Sequence, residues 1–258
     1  MDSPIPKSDP SKLRRLAKRQ ASERPISALT AYDYPVARLL DEAGIDLVLV
    51  GDSLGMVVLG HDDTTEVTIE MMVHHTMACR RGVNQAVLVA DLPYRSYESP
   101  AEAVKNARLL VGAGADAVKL EGGSEILEQI QALVADGIQV VGHIGMLPQH
   151  VKEEGGYRRK GKTREDAARL LQGAKDLADA GVAAIVLESM VHKVAAEITA
   201  QVQAPTIGIG AGRDCDGQIL VVHDLLGSFP WFRPSFAVPR ADIAGETRRA
   251  VREFIAQL

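Results

Sequence analysis

Several charged or titratable side chains sit where a buried strand has little use for them. Asp52 and Ser53 close the apolar run "DLVLVGDS", and Asp91 closes "QAVLVADLP". Lys119 and Glu121 lie in "DAVKLEGG", His143 ends "IQVVGHIG", and Glu188 ends "AAIVLES". In each case the polar group follows the apolar part of its run. Taken singly, each has a structural explanation. A terminal Asp forms turns, Glu188 caps a helix, His143 is satisfied inside a core, and Lys119 snorkels from a rim. Turn and cap preferences do not explain five consecutive runs, and they say nothing about Lys119 or His143. Acids gathered in one place repel, and a divalent cation removes that cost. Carboxylate oxygens suit Mg²⁺ or Mn²⁺, with two acids as direct ligands and water or substrate completing the octahedron.

The elements that must position these groups read as eight short apolar runs, at 25–33, 46–53, 85–93, 116–123, 138–145, 183–189, 205–212 and 218–227. Amphipathic stretches separate them. The stretch 68–82 presents Ile69, Met72, Val73, Thr76 and Met77 on one predicted buried face. The stretch 99–114 starts with Ser99 as N-cap and Pro100 in its first turn. In 163–181, Thr163 and Asp166 have capping-box spacing, and Gly181 is the predicted stop.

Strand and helix in alternation predict a parallel sheet, and eight such units predict an α/β fold of the (β/α)8 TIM-barrel type. A doubly wound open sheet is the competitor. In a barrel, all the polar run ends meet at one rim. The predicted organisation is a single barrel domain over 1–258 with extra N- and C-terminal helices. Residues 1–24 form an extension carrying a short exposed helix at 11–20, and 228–258 form a C-terminal segment with a closing helix at 242–258. The interval from Gly212 to Gly217 is too short for a crossover helix, so that connection is irregular. His223 and Asp224 end the last run, and a structural role is expected for them.

Composition narrows the function. With 46% hydrophobic and 24% charged residues, the 258-residue chain has the make-up of a soluble globular domain. A formal charge of −5 leaves no basic footprint for nucleic acid or membrane, and 4% aromatics offer few stacking platforms. Cys79 and Cys215 form neither a disulfide framework nor a metal-ligand pair, which favours a reducing, cytoplasmic setting. No apolar run reaches the roughly 18 residues that a membrane span needs. Two motif matches fail on context. "GYRRKGKT" (156–163) has P-loop spelling, but "QHVKEEG" before it is no buried strand. It is read as a basic, Gly-hinged loop, either a lid over the rim or a solvated turn. "GIGAG" (208–212) is read as close backbone packing rather than a dinucleotide fingerprint. The adjacent His74 and His75 point apart on a helix and are read as surface groups rather than ligands.

The segments "TAYD", "GDSLGMV", "ADLPY", "VKLEGG", "GHIG", "VLES" and "IGIGAG…CDGQILVVHDLLG" run in order over residues 26–227 and resemble the ketopantoate hydroxymethyltransferase family. That family is similar in type to the phosphoenolpyruvate mutase and isocitrate lyase barrels. The resemblance implies transfer of a hydroxymethyl group from 5,10-methylenetetrahydrofolate, a co-substrate, to 3-methyl-2-oxobutanoate. It implies one Mg²⁺ per subunit held by Asp52 and Asp91, with Glu121 in or next to its shell. It implies α-keto acid contacts from Asp52, Ser53, Asp91 and Lys119, a pocket lined by His143, and Glu188 as the proton-abstracting base. It also implies a homo-oligomer, commonly a decamer, at the first committed step toward pantothenate and coenzyme A. The rivals are a lyase or phosphonomutase of the same group, whose "KKCGH"-like stretch is absent, and a catalytically silent barrel. Two departures stand out. "GMLPQ" (145–149) replaces "GLTPQ", putting Leu147 where the family has a hydroxyl, and the tail after Gly227 differs, with an expected effect on subunit packing.

Overall fold

The computed structural model describes residues 8–18 and 24–258. It comprises two compact units, Met1–Ile219 and Leu220–Leu258. The first contains α1 (Ser11–Lys18), β1 (Ile26–Thr30), α2 (Tyr34–Glu42), β2 (Leu47–Val50), α3 (Leu54–Val57), α4 (Ile69–Arg80), β3 (Val87–Asp91) and α5 (Pro100–Gly112). It continues with β4 (Ala117–Glu121), α6 (Leu127–Ala135), β5 (Val140–Gly145), α7 (Arg164–Asp179), β6 (Ala184–Glu188), α8 (His192–Gln201) and β7 (Thr206–Ile209). β8 (Gly217–Leu220) closes the parallel barrel in strict sequence order. The (β/α)8 expectation holds and the open sheet is excluded.

β2, β3, β4 and β5 are buried along their whole length, which is why they read as apolar runs rather than alternating ones. Alternate residues fill the barrel interior: Leu47 and Leu49, Val87 and Val89, Ala117, Val141, Ala184 and Val186. Continuing the same alternation by two residues gives Asp91, Lys119, His143 and Glu188. The polar groups therefore form the top layer of the stack whose lower layers are Val and Ala.

Helix boundaries follow their caps. Ser99 accepts from Glu102 N at 3.3 Å, and Thr163 accepts from Asp166 N at 3.1 Å. The return arm of the box differs from expectation, because the Asp166 carboxylate takes the N–H of Gly161 rather than that of Thr163. Gly181 stops α7 at φ +93°. The β7–β8 link is the irregular connection that the spacing required. Asp216 braces it by accepting from Thr206 N at 2.8 Å, while its own carbonyl accepts from Ile26 N at 2.9 Å. Gly217 closes the seam, since a Cβ there would sit 2.6 Å from Ile26 O.

Three expectations need correction. α1 is not merely an exposed helix: Leu13 joins the interior core, and Lys12 Nζ donates to Asn84 O and Ala86 O just ahead of β3. α1 thus packs at the barrel end opposite the polar rim. Residues 19–20 of that predicted helix, and 1–7 and 19–23 of the extension, lie outside the described residues. α4 buries Met72, Thr76, Cys79 and Arg80, while Met77 is exposed. Its inward face is set by the fully buried Arg80, whose guanidinium lies 3.2 Å from Asp116. The last run is only partly strand. Residues Val222–Leu226 form α9, so His223 and Asp224 lie on a helix, ended by Gly227 in the left-handed region at φ +62°.

In the second unit α10 (Ile243–Ala256) is capped by Asp242, which accepts from Gly245 N at 3.0 Å. The predicted 228–258 helical segment is helical only there, as residues 228–242 contain no helix. α10 buries no residue and exposes Val251, Phe254 and Ile255.

Candidate active site

Strand register brings the rim residues together. Asp91 pairs across to Lys119, and Glu121 pairs across to His143. Glu188 pairs with Gly145, which has φ +107°. A Cβ on Gly145 would meet Glu188 O at 2.2 Å, so only glycine lets β5 approach the backbone of Glu188 this closely. Asp52 falls just past β2, and its N–H donates to Asp91 Oδ2 at 3.1 Å, which locks the two acids side by side.

The charged groups form one buried cluster. Asp52, Asp91, Lys119, Glu121 and His143 are each 4% exposed or less. Lys119 Nζ lies 3.1 Å from Asp91 Oδ1, 3.9 Å from Glu121 Oε1 and 3.3 Å from His143 Nδ1. His143 Nδ1 is also 3.2 Å from Glu121 Oε1, and Nε2 is 3.3 Å from Glu188 Oε2. A neutral ring protonated on Nε2 accepts from Lys119 and faces Glu188 with its N–H. A charged ring turns N–H groups toward both Glu121 and Glu188. Burial and Lys119 oppose charging, but the two flanking carboxylates outweigh them and raise the His143 pKa to about 9. Burial would also discharge Lys119, yet Asp91, Glu121 and Asp52 hold its pKa above the ordinary value. Glu121 is held low against its burial by His143, Lys119 and the Gln149 N–H.

The acid pair carries the opposite imbalance. Burial, then the neighbouring Asp91 and Glu121, push the Asp52 carboxyl well above its usual range. Asp91 is likewise raised by burial, with Lys119 opposing. Asp91 Oδ1 is buried and accepts no hydrogen bond, for its approach to Lys119 is an ion pair without hydrogen-bond alignment. Four carboxylates face one ammonium and one imidazole here, so negative charge remains uncompensated. Two adjacent carboxylates, one with an oxygen left over, fit a divalent cation that takes its other ligands from water and substrate. Among the described residues no set of three or more His, Cys, Asp or Glu forms a ready-made cage. Glu121 stands beside the pair with its oxygens already facing His143 at 3.2 Å and the Gln149 N–H at 3.0 Å.

Ser53 Oγ is 2.9 Å from the buried Tyr32 hydroxyl, giving a hydroxyl pair at the same rim. Glu188 is the most accessible member of the charged cluster, at 17% side-chain exposure. All seven sequence-predicted site residues therefore sit at this rim. Sequence reasoning assigned no role to Tyr32, Tyr97 and Gln149. Tyr97 donates to Gln149 Oε1 at 2.6 Å, and Gln149 donates to Asp52 Oδ2 at 2.7 Å. The only signal for Gln149 was its place in "GMLPQ". Leu147 in that stretch starts a short 3-10 turn (Pro148–His150) with no side-chain cap.

The "GYRRKGKT" segment has no strand directly before it and lies in the β5–α7 link, with Thr163 capping α7. Its backbone joins the end of β6 through Lys160 N to Ser189 O at 2.9 Å. The reading of His74 and His75 as surface groups pointing apart needs correction: only His74 is exposed, His75 is half-buried with Nδ1 2.6 Å from Tyr32 O, and the two ring centroids lie 5.3 Å apart.

A family model described as ketopantoate hydroxymethyltransferase matches residues 10–258. A relative from Ignicoccus hospitalis named 3-methyl-2-oxobutanoate hydroxymethyltransferase is 50% identical over 247 residues, spanning 95% of this chain and 94% of its own. Among solved structures, a phosphoenolpyruvate phosphomutase from Streptomyces platensis subsp. rosaceus superposes with TM-score 0.65 at 16% identity, covering 84% of this chain and 82% of that one. A phosphonopyruvate hydrolase solved with oxalate and Mg²⁺ gives TM-score 0.66 at 15% identity, covering 97% and 86%. At such identities the structures establish a shared barrel. The sequence matches extend over nearly the whole chain, rim included, and they settle the assignment: the chain is an enzyme of the ketopantoate hydroxymethyltransferase family.

Proposed function

We propose that this rim transfers a hydroxymethyl group from 5,10-methylenetetrahydrofolate to 3-methyl-2-oxobutanoate, giving 2-dehydropantoate. The observation that carries the reading is the placing of Asp52, Asp91 and Lys119 beside one another, with Glu188 reached across His143. Asp52 and Asp91 would hold one Mg²⁺, with Glu121 next to its shell. The cation supplies Lewis-acid polarisation of the keto oxygen, worth several kcal/mol. The phosphonopyruvate hydrolase solved with oxalate and Mg²⁺ supports this, because oxalate presents the same pair of chelating oxygens as an α-keto acid.

The chain's own residues do the rest. Ser53 donates to the substrate carboxylate while Tyr32 holds the serine hydroxyl in place. Lys119 faces the keto oxygen, where negative charge develops, in a site that excludes water. Glu188 removes the C3 proton, and His143 Nε2 orients its carboxylate. Water adds to the one-carbon unit of the folate, both of its C–N bonds break with the water protons passing to the two nitrogens, and tetrahydrofolate leaves; the enolate carbon then adds to the freed formaldehyde, and the new alkoxide takes back the proton held by Glu188. Thiol chemistry of the lyase kind is disfavoured. Cys79 lies in α4 and Cys215 in the β7–β8 link, both buried, and burial raises both thiols.

The same reading places the enzyme at the first committed step toward pantothenate and coenzyme A, in the cytoplasm. Among the described residues no helix is long and apolar enough to cross a membrane. Its partners are the small-molecule substrates and further copies of itself, in a homo-oligomer of the decamer type. The exposed apolar stripe of α10 supports self-association.

The test is isotope exchange. With Mg²⁺ and no folate, the protein exchanges the C3 hydrogen of 3-methyl-2-oxobutanoate in deuterated water, followed by NMR. Glu188→Gln slows this by about 10²- to 10⁴-fold while the keto acid still binds. Undiminished exchange in that variant removes Glu188 as the base.

A further inference from the structure

We infer that Gln149 is a positioning residue that aims the Asp52 carboxylate at the divalent cation. This inference rests on the cation reading above. Gln149 belongs to the turn after β5, yet its bonds reach the ends of three other strands. Nε2 donates to Asp52 Oδ2 at 2.7 Å and to Leu92 O at 3.0 Å. Oε1 accepts from Tyr97 Oη at 2.6 Å, and the backbone N–H donates to Glu121 Oε2 at 3.0 Å. The residue is 1% exposed.

This pattern fixes the carboxamide one way round. Leu92 O and Asp52 Oδ2 are both acceptors, so the edge facing them must be the NH₂. A flipped amide would set Oε1 against two oxygens. The Tyr97 hydroxyl is compatible with that orientation, lying 2.6 Å from Gln149 Oε1 and 3.2 Å from Glu121 O.

The consequence for Asp52 is directional. A donor on Oδ2 pins the carboxylate plane and leaves Oδ1 as the oxygen offered to a ligand. A neutral amide achieves this without cancelling the charge, whereas a Lys or Arg would compete with the cation for it. The same turn holds Glu121 through its backbone, so one residue sets the spacing between the acid pair and its neighbour.

Partners of metal-binding carboxylates typically cost 10- to 100-fold in metal affinity when removed. Gln149→Met keeps the volume and deletes every side-chain hydrogen bond. The experiment is calorimetric titration of substrate-free wild type, Gln149→Met and Asp52→Asn with MgCl₂ alone. Circular dichroism first establishes that each variant is folded. The expected result is a Kd for Mg²⁺ about 10- to 100-fold weaker in Gln149→Met and no measurable binding in Asp52→Asn. Raised Mg²⁺ should then restore C3 exchange in Gln149→Met, which a purely structural defect would not allow. Affinity within about twofold of wild type in Gln149→Met, with binding lost in Asp52→Asn, overturns the positioning role and leaves the cation reading standing. Undiminished binding in Asp52→Asn overturns the cation reading itself. If Gln149→Met does not fold, Tyr97→Phe decides, since it releases the Oε1 anchor, together with the longer contact to Glu121 O, and leaves both Nε2 bonds in place: weakening beyond about twofold supports the role, and none refutes it.

Discussion

Replacing Lys119 by Met should destabilise the cation-free protein and make its stability depend on Mg²⁺ far more than wild type does. Lys119 is the only ammonium in the buried cluster, 3.1 Å from Asp91 and 3.9 Å from Glu121. At an effective dielectric constant near 20, those separations correspond to roughly 5 and 4 kcal/mol of gross attraction. Burying the ammonium offsets much of this, and the side chain is 5% exposed. Losing one partner of a buried pair costs about 3–5 kcal/mol net, because the other charge is left stranded. For a chain of this size that corresponds to a drop in Tm of roughly 10 °C. A divalent cation between Asp52 and Asp91 replaces the lost positive charge, so saturating Mg²⁺ should recover most of the difference. The assay is thermal and urea unfolding of both proteins in EDTA and in MgCl₂. Equal stability in EDTA would refute the electrostatic reasoning. A deficit that Mg²⁺ leaves untouched would show that the cation does not bind at the acid pair.

Two further outcomes are expected. His143 has a pKa raised in the fold to about 9 against an ordinary 6.5, so its contribution is complete below pH 6.5 and is lost as pH rises through 9. Unfolding free energy of the cation-free protein should therefore fall by up to about 3 kcal/mol between those values, and His143→Gln should flatten that slope in urea titrations. A rising slope in wild type contradicts the assignment. Arg80→Ala strands the fully buried Asp116 and should cost about 3–5 kcal/mol with C3 exchange by the folded fraction preserved. Calorimetric loss below about 1 kcal/mol would show that the pair carries little of the packing.

The barrel was legible because its strands are short apolar runs separated by capped helices, as with Ser99 for α5 and Thr163 for α7. The rim was legible for a related reason. Counting by twos from Val89, Val141 and Val186 in the interior reaches Asp91, His143 and Glu188, so the polar break in each run marks the top layer. Less local features were hidden. α4 faces inward on Arg80 because Asp116, thirty-six residues away, supplies its counter-charge, and no hydrophobic periodicity reports that. The α9 turn was missed because "ILVVHDLL" reads as one apolar run, with only Gly227 at φ +62° marking a helix end. Gln149 was unreadable, because its partners Asp52, Leu92 and Tyr97 lie 97, 57 and 52 residues away.

The central claim is that the acidic ends of separate strands converge on one cation. Anomalous diffraction from crystals soaked in Mn²⁺ and 3-methyl-2-oxobutanoate tests it most directly. One strong peak per subunit is expected within ligand distance of both Asp52 and Asp91, with Glu188 on the C3 side of the keto acid. A peak held by other residues, or none at the acid pair, would contradict it.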